Sequence, residues 1–108
     1  MAGDCEAILA LILRANPDLP GWETHYRFDK TRRHLDVAFA DYSVGIEVQE
    51  ETCHGHWRKQ TEDAKKLNDL QLLGWLVLHF TGTMLQDPDY VIGTIRNALG
   101  MGGECHAP

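Results

Sequence analysis

Cysteine is scarce and poorly spaced for structural work: Cys5, Cys53 and Cys105 lie far apart, with no Cys-x-x-Cys pair. That fits a reducing, cytoplasmic setting better than a disulfide framework. Long apolar runs are missing as well. No stretch reaches the roughly 18 residues of a membrane span. The opening MAGDCEAILALILRANP has no basic leader and carries Asp4 and Glu6, so neither a transmembrane segment nor a secretory signal is expected. Positive charge is in short supply, since 10 Lys and Arg against 16 Asp and Glu leave a formal net charge of −6. A chain-wide basic footprint is thereby excluded. What remains is ordinary for one small globular domain: 108 residues, 44% hydrophobic and 24% charged.

The basic residues that are present are segregated. Arg27, Lys30, Arg32 and Arg33 fall in RFDKTRR, and Arg58, Lys59, Lys65 and Lys66 fall in RKQTEDAKK. Between these two patches lies HLDVAFADYSVGIEVQ, which alternates with period two on both sides of its middle. This is a hairpin signature. With the turn centred between Asp41 and Tyr42, Phe39 faces Val44, Val37 faces Ile46 and Leu35 faces Val48. All three pairs then share one face. On the other face Asp36 stands opposite Glu47, and His34 opposite Gln49. Like charges directly opposed destabilise a sheet by a few tenths of a kcal/mol up to about 1. A divalent cation such as Mg²⁺, with Mn²⁺ as a substitute, would offset that cost, because hard ions take carboxylate oxygens. Solvation of both acids on a wet sheet face is the plain alternative.

The remaining elements follow from caps and periodicity. Asp4 is a candidate N-cap for a helix whose apolar positions are Ile8, Leu11, Ile12 and Ala15, stopped by NPDLPG. WETHYRF reads as a first strand and residues 57–73 as a helix closed by Gly74. WLVLHF reads as a largely buried fourth strand. QDPDYVIGTIRNALG reads as a last helix with Asp87 as N-cap, Pro88 in its first turn and Gly100 as its stop. The order is α β β β α β α, in a single domain over residues 1–100 with a disordered tail over 101–108. A helix between strands three and four allows a parallel crossover and hence a mixed sheet flanked by helices.

Several polar residues gather around the two acids. Lys59, Asp63 and Lys66 share one helix face. Gln49 shares the face of Glu47, and Glu6 occupies the first turn of the first helix. With Asp36 and Glu47 they resemble the active site of the PD-(D/E)XK nuclease superfamily, whose restriction-endonuclease-like core has the order αβββαβ. The stretches YRF, LDVAFA, GIEVQ, DAKKLN and LLGWLVLHFT match, in order, small phage and bacterial endonucleases of the very-short-patch-repair-like type, over roughly residues 6 to 99. The resemblance implies metal ligation by Asp36 and by Glu47 of the Glu-Val-Gln motif, where Gln49 replaces the usual lysine. It further implies that Lys66 supplies the missing cation, and that His54 or His56, in a partial likeness to a His-Gly-His motif, assists a water.

The expectation is therefore a Mg²⁺-dependent DNA endonuclease, acting as a homodimer on branched or otherwise structured DNA, cytoplasmic in a bacterial or phage-infected cell, with no membrane partner and no small-molecule cofactor. Asp36, Glu47, Gln49, Lys66, Glu6 and His56 form its catalytic set, and Arg27, Arg32, Arg33, Lys59 and Lys65 hold the DNA backbone. A binding module on the same fold that has lost cleavage is the main rival. A zinc site built from Cys53, His54 and His56 with Cys105 and His106 lacks paired ligand spacing. Trp22, Trp57 and Trp75 read as packing residues, and His79 as a core histidine.

Overall fold

The computed structural model describes residues 4–30, 33–49 and 57–101. In chain order they form α1 (Asp4–Arg14), β1 (Glu23–Arg27), β2 (His34–Phe39), β3 (Val44–Gln49), α2 (Trp57–Leu72), β4 (Leu76–Thr81) and α3 (Pro88–Ala98). This is an α/β protein with the expected element order. One four-stranded sheet runs β1-β2-β3-β4. The first three strands pair antiparallel, and β4 joins β3 in parallel, as the helix between them requires. No described helix is long and apolar enough to cross a membrane.

Helices cover both faces of the sheet. Leu9, Ile12 and Leu13 of α1 and Val91, Ile92 and Ile95 of α3 pack on Val37, Phe39, Val44, Ile46 and Phe80. The α2 side holds a smaller cluster of Leu35, Ala38 and Leu70, flanked by Tyr26, Phe28, Trp75 and Val77. The three-layer arrangement follows because each sheet face must be dried by a helix stripe. Caps lie where the chain signals them: Asp87 Oδ1 accepts the Tyr90 amide N–H at 3.2 Å. Gly74 and Gly100 take φ of 88° and 78° beyond α2 and α3, a conformation open to glycine at little cost.

Four expectations need correction. The buried stripe of α1 is Leu9, Ile12 and Leu13, while Ile8, Leu11 and Ala15 are exposed. Almost every position of AILALIL is apolar, so periodicity alone does not choose a face. The β2–β3 turn, by contrast, is centred between Asp41 and Tyr42 as expected, and is built as a 3-10 turn over Ala40–Tyr42 followed by left-handed Ser43, with φ of 54°. β4 is an edge strand; Phe80 is buried, but Leu76 is 50% exposed. His79 is likewise an exposed residue rather than a core histidine.

The fourth correction bears on the acids. Val37–Ile46, Ala38–Gly45 and Phe39–Val44 pair as expected, but Leu35 does not share the face of Val37. It packs with Ala38 and Leu70 on the α2 side, and a Cβ on Gly45 would lie 2.6 Å from Leu35 Cδ1. The same change of face occurs in β1, where Tyr26, the partner of Leu35, also packs on the α2 side. The β1–β2 register on either side sets His25 across from Asp36, and His25 carries a φ of 50°. Both strands swap faces at this pair, which ends the strict alternation of the sequence.

Candidate functional site

Asp36 stands at the switch, between Leu35 on the α2 side of the sheet and Val37 on the other. Its Oδ2 accepts the Val48 amide N–H at 2.8 Å. In return, Glu47 Oε2 accepts the Asp36 amide N–H, at a weak 3.4 Å. Each acid thus binds main chain of the opposite strand where the face change interrupts the regular pattern. The two acids are neighbours as the register requires, but they are linked by these side-chain bonds rather than simply opposed.

Two further groups complete the cluster. From α2, Lys66 Nζ lies 3.0 Å from Glu47 Oε2, with the two side chains only 18% and 19% exposed. From α1, the Glu6 carboxyl comes near Asp36. Burial first and then the neighbouring Asp36 carboxylate push Glu6 above its ordinary range, with His25 and His34 opposing. Burial and the Asp36 charge likewise raise Glu47, against the pull of Lys66. In these partly buried surroundings the Asp36 carboxylate thus penalises ionisation of both Glu6 and Glu47.

Around this cluster lie histidines whose grouping the sequence did not announce. His25 Nε2 lies 3.4 Å from Glu6 Oε1. The rings of His25 and His34 stack with centroids 5.3 Å apart and planes within 4°. His79 faces Glu47 across the parallel ladder. Its ring is held below the ordinary imidazole range by partial burial first and by the Lys66 charge second, with Asp63 opposing. Only a left-handed backbone at His25 brings its ring to Glu6, and no spacing rule in the chain signals that.

The other candidates are distributed as follows. Gln49 is exposed at the end of β3, paired in the ladder with Thr81. Arg27 is exposed on β1, across from His34. Arg33 donates to Asp29 Oδ2 at 2.6 Å and to Asp69 Oδ2 at 2.8 Å. Its guanidinium lies over the Phe28 ring at 5.2 Å, so this arginine ties the β1–β2 connection to α2. Lys65 is exposed, 3.8 Å from Glu62. Lys59 lies in the first turn of α2, but its side chain falls outside the described residues, as do Arg32, His56, Cys53, His54, Cys105 and His106.

No protein-family profile, curated protein or solved structure matches this chain. The reading of the cluster thus rests on its own chemistry. Among the described residues, no group of three or more His, Cys, Asp and Glu forms a closed donor set for a metal. Asp36 and Glu47 nevertheless fit a hard cation that keeps its other positions for water or phosphate oxygens. They are adjacent, and the carboxyl cluster around them holds more potential negative charge than Lys66 offsets. The arrangement sets two neighbouring carboxylates beside one lysine ammonium.

Proposed function

We propose that the protein is a Mg²⁺-dependent DNA endonuclease on a restriction-endonuclease-like core, with Mn²⁺ as an acceptable substitute. The observation that carries this reading is the meeting of Asp36 and Glu47 with Lys66, three residues from three elements. Asp36 and Glu47 would hold the ion, which when bound polarises a phosphate oxygen and lowers the pKa of a water.

The chain's own groups do the rest. Lys66, carried to the site by α2, would neutralise charge that develops on the attacked phosphate, the function usually served by a lysine at position 49. The Val48 N–H orients Asp36, and Glu6 brings a third carboxyl near it from α1. Gln49 would donate to the substrate from the end of β3, and His56 would assist the water. Arg27, Arg32, Lys59 and Lys65 would hold the DNA backbone; Arg33, already engaged by Asp29 and Asp69, would contribute mainly through the placement of its loop. A homodimer would present two such sites to the two strands of a duplex or junction.

One observation favours a second reading, a binding module without chemistry: Gln49 carries no charge and is exposed at the strand end. Cleavage of supercoiled plasmid and of a four-way junction, titrated with Mg²⁺ and Mn²⁺, separates the two. Metal-dependent nicking lost in Asp36→Asn and Glu47→Gln supports the nuclease. Binding of the same DNA without cleavage under any metal would leave only the module.

A further inference from the structure

We propose that the stacked rings of His25 and His34 form a platform for an unpaired nucleobase beside the acid pair. The proposal rests on the nuclease reading and gives it a substrate class: DNA with a base out of the stack, as at a junction, a flap or a bulge. The flanking register sets His25 across from Asp36, and His34 lies two residues before Asp36. The histidines are thus diagonal neighbours on paired strands, a spacing within reach of aromatic side chains. Their ring centroids are 5.3 Å apart and their planes agree to 4°, the offset parallel arrangement that π-systems favour.

Three observations point from this pair to a planar ligand. The His25 side chain is 60% exposed, with His34 on one ring face and Glu6 Oε1 3.4 Å from the Nε2 edge; that exposure therefore belongs largely to the opposite face. The backbone beneath it is held at a φ of 50°, which residues other than glycine avoid unless surrounding contacts over-determine it. This strain serves neither hydrophobic core, since His25 belongs to neither, and strain without a packing return collects at ligand sites. Arg27, exposed and opposite His34 in the ladder, adds a cation next to the pair for the backbone of the same nucleotide. Aromatic faces beside basic groups are the make-up of surfaces that bind single strands. Because every base has a π-face, such a contact selects for unpairing rather than for sequence. A base inside a duplex has both faces covered by its neighbours and cannot use it.

The test reads binding without metal, so that it does not depend on cleavage. The probes are a fully paired duplex and the same duplex carrying one unpaired 2-aminopurine, whose fluorescence falls when a ring stacks on it. His25→Asn keeps a residue that tolerates the left-handed region and a polar head for Glu6, but removes the aromatic face. His34→Phe keeps a ring against His25 and removes the imidazole nitrogens. The parent should bind the 2-aminopurine probe more tightly than the paired duplex and quench it. His25→Asn should lose roughly 5- to 150-fold in affinity for that probe, the size of one base–aromatic stack, and lose the quenching, with its affinity for the paired duplex unchanged. His34→Phe should keep both. Parental affinity and quenching in His25→Asn would overturn the inference, as would equal losses on both probes or a parent that does not distinguish them. Loss of the selective binding in His34→Phe would overturn it as well, since charge or hydrogen bonding would then replace stacking. If His25→Asn melts lower than the parent, the ratio of its two affinities still decides, because partial unfolding weakens both alike. A parent that binds neither probe and nicks no plasmid in Mg²⁺ would instead overturn the nuclease reading itself, and this inference with it.

Discussion

Replacing Asp36 by asparagine should make the metal-free protein slightly more stable and the metal-loaded protein clearly less so. Asp36 lies beside two acids, Glu47 and Glu6, both pushed above the ordinary carboxyl range by burial first and by its charge second. Removing a like charge from such a neighbour is worth a few tenths of a kcal/mol up to about 1. Against this gain stands the bond from Val48 N–H to Asp36 Oδ2 at 2.8 Å. An amide oxygen still accepts it, but a neutral acceptor gives up about half the strength, roughly 0.5–1 kcal/mol. Summed over the two neighbours and set against the weakened bond, the net change is about −0.5 to +1.5 kcal/mol without metal, centred on a small gain; at roughly 4–8 °C per kcal/mol in a domain near this size, the melting temperature rises by a few degrees at the centre of that range. With Mn²⁺ at about a hundred times its dissociation constant, the parent should gain roughly 2.7 kcal/mol and Asp36→Asn almost nothing. Thermal unfolding by circular dichroism, with and without Mn²⁺, reads both arms, and the order of the two proteins should invert. Equal stabilisation of both by Mn²⁺, or a metal-free loss above about 1 kcal/mol in the variant, would refute the reasoning.

Lys66→Met should lower the cleavage rate by at least about 10²-fold while Lys65→Met mainly weakens DNA binding; comparable, mild rate losses in single-turnover assays of both would argue against the α2 lysine. Glu6 and Glu47 bind protons more tightly folded than unfolded, so their contribution to stability is present below their unfolded values, near pH 4.5, and is lost as pH rises through the higher folded values. Denaturant titrations of the metal-free protein should show that decline, and Asp36→Asn should flatten it. Gly45→Ala should cost roughly 1–3 kcal/mol, since its methyl would meet Leu35 Cδ1 at 2.6 Å. Adding Leu35→Ala should then cost less than the sum of the two single changes in chemical denaturation. Duplex binding should weaken with salt by about 0.9 in the log–log slope per phosphate contact, and a flat profile would contradict a phosphate-tracking surface.

Much of the fold was legible because its signals are local. Asp87, Pro88 and Gly100 frame α3 through capping chemistry, and the Val37–Ile46 and Phe39–Val44 pairs follow from period-two alternation. The neighbourhood of Asp36 and Glu47 was legible for the same reason. What escaped depends on contacts that no local pattern encodes. Leu35, Val37 and Phe39 look like one face, yet a sheet covered on both sides can bury an apolar residue in either direction. For the same reason the run WLVLHF suits an interior strand and a half-exposed edge strand equally well. The grouping of His25, His34 and Glu6 depends on one left-handed residue, for which histidine is a weak sequence signal.

The face change between β1 and β2 has a consequence for how fold and site are combined. Val37 and Leu35 lie in different layers although one residue separates them, and the register opposes that residue, Asp36, to His25. Excising His25 and Asp36 together would leave Thr24 and Val37 next to Tyr26 and Leu35, on opposite faces, as an ordinary pleat demands. The pair is thus one surplus rung in a ladder that closes without it. A shortened chain lacking both residues should still lay its apolar side chains into the same two cores, while losing the acid on which the proposed chemistry turns. Scaffold and proposed metal site are thus joined through a single cross-strand pair, so the geometry that seats Asp36 beside Glu47 can be removed by deleting two residues.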